Sequence, residues 1–163
     1  MLDKEILERV LEEALKQGGD FAEIYIEEKQ LSNVFCEDDR IEKVNSGREK
    51  GAGIRVVKDG KTAYVYTTDV SEEGLLKAAA VARHASINGK ETRPIALTPK
   101  QPAFTISCKR LPNAVSFDEK IEHVLAANKS ARDVSDEIRQ VTVAAGDLYK
   151  KVIIANSDGE LAE

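Results

Sequence analysis

The residues able to do chemistry in this 163-residue sequence are few. A catalytic zinc site takes three protein ligands and an open position, and two of the ligands commonly stand as His at i and i+4 on a helix with a Glu beside the first. The chain has two histidines, His84 and His123. Asn88 follows the first by four residues and Ala127 the second, so neither helix offers a paired ligand, and Glu122 precedes His123 without a partner. Both read as helix-surface histidines; no metal site and no catalytic residue is assigned to this chain. Cys36 would act as a nucleophile only if a His and an orienting group converged on it. It sits beside Phe35 in an extended run and reads as a half-buried thiol, with Cys108 in an equally weak position. Glu37, Asp38, Asp39 and Glu42 lack the alternating ligands and closing bidentate Glu of a calcium loop, so they read as a solvated turn.

One segment is locally unusual: Ser46-Gly47-Arg48-Glu49-Lys50-Gly51-Ala52-Gly53-Ile54-Arg55. Phosphate-binding loops run from strand into helix and carry Gly-Lys-Ser or Gly-Lys-Thr; here strand leads to strand and the motif is missing. Gly51 and Gly53 suit a bulge or a close backbone approach, with Arg48 and Arg55 as surface charges. The alternative is a strand edge whose arginines face a ligand chain, since an extended peptide adds to a sheet edge and Arg pairs with carboxylates. On that alternative Arg48, Gly51, Gly53 and Arg55 are the candidate peptide- or partner-binding residues.

The elements that position these residues follow from periodicity. Leu2, Ile6, Val10, Leu11, Ala14 and Leu15 recur at helical spacing, and Gly18-Gly19 stops the helix. From Phe21 the period becomes two, with Ala22, Ile24 and Ile26 on one face. A run from Ser32 turns at Asp38-Asp39 and returns through Arg40 to Ser46. Asp59-Gly60 supplies the positive-φ pair of a two-residue hairpin turn between Ile54 and Tyr66. Ser71 or Asp69 caps a helix bearing Leu75, Leu76, Ala79 and Ala82, with a stop at Gly89. All four prolines fall in a connection at about 88–115, which has room for one edge strand around Ala103 to Cys108. Ser116-Phe-Asp-Glu119 is a capping box opening a third helix. Glu137 to Ala144 and Tyr149 to Ala155 predict a further hairpin turning near Gly146-Asp147. The order predicts an α+β chain: an antiparallel sheet of about six strands with two to three helices packed on one face.

Length divided by roughly 150 residues per domain gives one domain, 1–163. A hydrophobic content of 42% is enough for one core, and a net charge of −5 lacks the basic footprint that phosphate neutralisation demands, which argues against nucleic acid. The opening Met1-Leu2-Asp3-Lys4-Glu5 is unlike an export signal and no run approaches a membrane span, so a cytoplasmic, non-membrane protein is expected.

Gly19-Asp-Phe-Ala-Glu-Ile-Tyr25, Arg40-Ile-Glu-Lys-Val-Asn-Ser-Gly-Arg48, Gly51-Ala-Gly-Ile-Arg-Val56 and Tyr64-Val-Tyr-Thr-Thr-Asp-Val-Ser-Glu-Glu73 together resemble the N-terminal domain of the TldD/PmbA metallopeptidase family. Phe117-Asp-Glu-Lys120 and Ala155-Asn-Ser-Asp-Gly159 resemble later parts of the same domain. The resemblance implies a longer parent protein acting as a homodimer or heterodimer with a related subunit around a chamber that admits unfolded peptides. It implies zinc in the full-length active member, held by His-Glu-x-x-x-His and a later Cys. This sequence contains no such motif, so the resemblance carries over no catalytic residue and no cofactor. It reads as a non-catalytic domain contributing chamber wall, dimer contacts and peptide contacts. The alternative is a free-standing peptide- or partner-binding regulatory module; a thiol enzyme using Cys36 is a weaker third reading. Val152 to Gly159 reads as a strand entering a tight turn, leaving Glu160-Leu-Ala-Glu163 to follow, with a strand edge that has little cover.

Overall fold

A computed structural model describes residues 3–84, 94–101 and 108–163. The elements are α1 (Lys4–Leu15), β1 (Phe21–Glu37), β2 (Arg40–Lys58), β3 (Lys61–Thr67), α2 (Glu72–His84), β4 (Thr98–Pro99), a 3-10 turn (Pro112–Ala114), α3 (Phe117–Arg132), β5 (Thr142–Asn156) and β6 (Glu160–Ala162). The helix stop expected at Gly89 lies outside the described residues, as does the expected edge strand apart from Cys108.

The chain is α+β, with six strands in the order β3-β2-β1-β5-β6-β4 and three helices packing on them. The β2–β3 and β5–β6 pairs are antiparallel, but β4 runs parallel to β6. Only tight turns oblige neighbours to be antiparallel, and β4 is reached by a long connection after α2. Thr98 N–H donates to Gly159 O and Lys100 N–H to Leu161 O, both at 2.7 Å. β4 thereby pairs with the strand edge that looked uncovered in the sequence.

Two turns form as their residues dictate. Asp38 and Asp39 have φ of 46° and 66°, Asp59 and Gly60 of 49° and 73°, the paired left-handed conformations of a twist-compatible hairpin turn. The hairpin expected at Gly146-Asp147 does not exist. β5 runs straight through it, and Glu137 to Gln140 lie outside any strand. Gly146 is there for close approach: a Cβ would collide with the Asn33 side-chain oxygen. A glycine between two alternating runs gives the same sequence signal in either case.

The chain divides into two compact units whose segments interleave. The first comprises residues 1–28, 50–105 and 151–163. Its core joins Leu7, Val10, Leu11 and Leu15 of α1 to Ala22, Ile24, Ile54 and Val56 of the strands and Leu75, Ala78, Ala79 and Ala82 of α2. The alanines let α2 lie close against α1 and β3. Ser71 Oγ accepts from Gly74 N–H at 3.1 Å and Asp69 Oδ1 from Ser71 N–H at 3.0 Å, so both candidate caps act in series. The hydrogen bonds from Ser71 hold the Asp69 carboxyl below its ordinary pKa. Glu8 and Glu12 accept from Leu97 and Ile95 N–H at 2.8 and 3.3 Å, fastening the segment that leads into β4 onto α1.

The second unit comprises residues 29–49 and 106–150. Val34 and Cys36 pack on Val124 of α3, ringed by Ile41, Phe117, Ile121, Leu125 and Val143. Ser116 Oγ accepts from Glu119 N–H at 3.2 Å, half of the expected capping box. The Glu119 carboxylate instead takes two 2.6 Å bonds from Arg110, which lower its pKa. The acidic turn is partnered rather than merely solvated: Asn128 donates to Asp39, and Arg132 pairs with Asp38 and Asp39.

Candidate functional site

The second unit contains a cavity of about 330 Å³, within the lower range for small-ligand sites of roughly 300–1,000 Å³. Gln30, Leu31 and Ser32 of β1 and Ser46, Gly47 and Arg48 of β2 supply one side; Asn113, Val115, Phe117 and Lys120 approach from the 3-10 turn and α3, and Asp147 from β5. The capped start of α3 fixes Phe117 and Lys120, three residues apart and hence on one face. Lys120 Nζ lies 5.4 Å from the Phe117 ring centroid.

At this cavity three side chains form a closed polar cluster. Lys120 Nζ is 2.7 Å from Asp147 Oδ2 and donates to Ser32 Oγ at 2.7 Å, while Ser32 donates to the same Asp147 oxygen at 2.6 Å. Burial works to raise the Asp147 carboxyl, but the bonds from Lys120 and Ser32 and the Lys120 charge outweigh it, so its pKa lies below the usual value. The geometry is that of a satisfied ion pair. Lys120 donates to Ser32 and the Ser32 proton is committed to Asp147, so the cluster does not present an activated serine nucleophile.

Of the residues singled out from sequence, Arg48 lines this cavity. Gly51, Gly53 and Arg55 fall in the first unit. There β2 is an interior strand paired with β3 from Ala52 to Lys58, so no open edge exists at Gly53 or Arg55. The glycines serve close approach: a Cβ on Gly51 would stand 2.5 Å from the Tyr66 hydroxyl, and one on Gly53 2.7 Å from Tyr64 Cζ. Arg55 pairs with Glu23 at 3.3 Å and stacks 5.5 Å from the Phe21 ring.

Ser32, Lys120 and Asp147 were not signalled by any motif. Their partnership joins positions 88 and 115 residues apart from Ser32, which no local pattern reports. The one legible hint was Ser32 itself, a polar residue in phase with inward-facing Val34 and Cys36.

The residues do not fit zinc. His84 and His123 are both exposed, and His123 Nδ1 lies 2.6 Å from Glu119 O on its own helix. Among the described residues no three His, Cys, Asp or Glu side chains converge. Cys36 is fully buried in an apolar cluster with Val34 and Val124, more enclosed than expected. No helix among the described residues is long and apolar enough to cross a membrane.

Comparison with known proteins matches residues 22–86 to the family model described as PmbA/TldA metallopeptidase domain 1 and residues 110–163 to the PmbA/TldA metallopeptidase central domain. A metalloprotease of Methanocaldococcus jannaschii is 27% identical over the whole of this chain and 36% of its own length. A metalloprotease TldD homolog of Haemophilus influenzae is 25% identical over 88% of this chain and 30% of its own. The crystal structure of TldE from Thermococcus kodakarensis shares the fold, with a TM-score of 0.72 at 18% identity, covering 94% of this chain and 35% of that one. The chain thus spans about a third of the length of the curated relatives it matches.

Proposed function

The chain belongs to the PmbA/TldD metallopeptidase family, and from that premise we propose that it is a non-catalytic N-terminal portion of a zinc-dependent peptidase. In this reading it forms chamber wall, contributes to a homodimer or heterodimer contact and touches an unfolded peptide, while zinc and its ligands reside elsewhere in a longer protein. The observation that carries the reading is the tandem match of domain 1 and central domain on a chain spanning about a third of relatives named metalloproteases. Arg48, Gly51, Gly53 and Arg55 are the proposed peptide- or partner-contacting residues, with Arg48 at the cavity, Gly51 and Gly53 against the Tyr66 and Tyr64 side chains, and Arg55 beside Glu23 and Phe21.

The test is hydrolysis of an unstructured peptide by the polypeptide encoded through and beyond Glu163, loaded with zinc, against the 163-residue chain alone. Activity confined to the longer polypeptide is expected. A stop codon directly after Glu163, or stoichiometric zinc on the short chain, would overturn it. The second reading, a free-standing peptide-binding module, draws on the ligand-sized cavity that the chain already holds.

A further inference from the structure

We infer that the free edge of β3 is a self-association seam, at which two copies of this chain pair their β3 strands antiparallel about a two-fold axis at Val65. The two edges of the sheet differ. β4 ends it on one side with two residues, one of them Pro99, which has no N–H to offer a further strand. β3 ends it on the other with seven residues, Lys61-Thr-Ala-Tyr-Val-Tyr-Thr67. From Thr62 to Thr67 it carries no charge and no proline, the devices by which sheet edges normally discourage a further strand. Its aromatic and β-branched residues favour pairing. Among the described residues β2 is its only strand neighbour. Tyr64 and Tyr66 lie over Gly53 and Gly51 on one face and are 62% and 63% exposed, while Val65 lies on the opposite face and packs against the core of the first unit.

The residue order along the edge selects its occupant. A two-fold interface brings residue i of one copy to residue j of the other and j to i, so the strand must complement its own reverse. Counted outward from Val65, the pairs are Tyr64 with Tyr66, Ala63 with Thr67, Thr62 with Thr68 and Lys61 with Asp69. Pairing about Val65 therefore sets each tyrosine opposite a tyrosine of the second copy on the exposed face and small residues opposite each other on the packed face. It also sets a cation opposite a carboxylate at both ends, with no like charges facing. An axis at Tyr64 would instead set Asp59 against Asp69 and Lys61 against Thr67, and an axis at Tyr66 would set Tyr64 against Thr68 and Lys61 against Ser71. A one-residue slip faces Tyr64 with Val65 and reverses the exposed and packed sides. A peptide of arbitrary sequence has no such complement, so the partner is a second copy of this chain. This gives the dimer contact of the proposed function a place in the fold and rests on that reading only for its biological role.

Sedimentation equilibrium of the 163-residue chain tests the seam independently of hydrolysis. Two short edges make an interface below the standard size, so a dimer with a Kd of about 10–100 μM is expected. The double variants Tyr64→Lys/Tyr66→Lys and Tyr64→Glu/Tyr66→Glu each set like charges opposite one another across the seam. Each should dimerise at least about tenfold more weakly, with the fold intact because both tyrosines are exposed. An equimolar mixture of the two should regain the dimer, lysines of one copy facing glutamates of the other; a mixture that stays monomeric overturns the pairing. Should either double variant fail to fold, Lys61→Glu decides, because it sets a second carboxylate against Asp69 and should weaken the dimer by about threefold. A chain still monomeric at about 1 mM, or a dimer that survives unweakened in these variants, overturns the β3 seam and leaves the peptidase reading to its own test. Exchange protection of β3 amides that appears in a monomeric chain only when an unstructured peptide is added assigns the edge to a peptide and overturns self-pairing.

Discussion

Lys120 Nζ stands 2.7 Å from Asp147 Oδ2, and Ser32 Oγ lies within hydrogen-bond reach of both. The side chains of Lys120 and Asp147 are 15% and 27% exposed, which places the pair between two regimes. Exposed pairs contribute about 0.2–1 kcal/mol, whereas removing one partner of a fully buried pair costs about 3–5 kcal/mol. Lys120→Met should therefore destabilise the second unit by about 2 kcal/mol. In a double-mutant cycle with Asp147→Asn, urea denaturation should show a coupling on the order of 1 kcal/mol, which an additive result would refute.

The same carboxylate sets an acid limit. The Asp147 pKa is held below the ordinary aspartate value of 3.8, so folding favours its ionised form. The resulting stability is fully present above the unfolded pKa and is lost as pH falls from about 3.8 through the lower folded-state pKa. Asp147→Asn should flatten that part of the stability-pH curve and leave the slope above pH 5 unchanged. Paired denaturation curves from pH 6 to pH 2 read the difference. Asp69, Glu119 and Glu160 have lowered pKa values too, so only the difference between the two proteins is diagnostic.

Elements formed where the cause was local. Asp59-Gly60 carries its own turn geometry and Ser116 its own cap, so both were readable from a few neighbouring residues. Gly146 was misread because a glycine for close approach and a glycine for a turn look alike without the partner strand. The cavity was legible only through Arg48. Ser32, Lys120 and Asp147 meet by tertiary folding, and a Lys on a helix and an Asp on a strand otherwise read as surface. The second core was hidden for the same reason: β1, β2 and β5 are continuous strands, yet their buried residues divide between two clusters.

Glycine substitutions separate rigid from yielding neighbours. On Gly74 a Cβ would stand 2.5 Å from the Asp69 backbone oxygen, which cannot move without dismantling the α2 cap. Ala gains about 1 kcal/mol of helix propensity over Gly, but an overpacked contact costs about 1–3 kcal/mol. Gly74→Ala should be net destabilising by about 1 kcal/mol. Gly53→Ala meets the ring of Tyr64, a side chain 62% exposed and free to swing outward. Its cost should stay below about 1 kcal/mol. Thermal unfolding of both variants checks the order; a larger loss for Gly53→Ala would reverse the argument.

Cys36 and Cys108 report on the second unit by their reactivity. Cys108 is exposed, whereas Cys36 is fully buried in a cluster with Val34 and Val124. A thiol reagent must wait for the second unit to open before it reaches Cys36, so labelling should be biphasic: a fast equivalent from Cys108 and a slow one from Cys36. Val124→Ala removes two methyl groups from that small cluster and should cost about 2 kcal/mol. If closing outruns labelling, the slow phase then accelerates by about 30-fold, because the rate follows the opening equilibrium. Leu11→Ala, in the core of the first unit, should leave that slow phase unchanged if the two clusters open independently. Equal acceleration by Leu11→Ala would show one cooperative unit, and rapid labelling of Cys36 in the unaltered chain would contradict its burial and reopen a thiol chemistry.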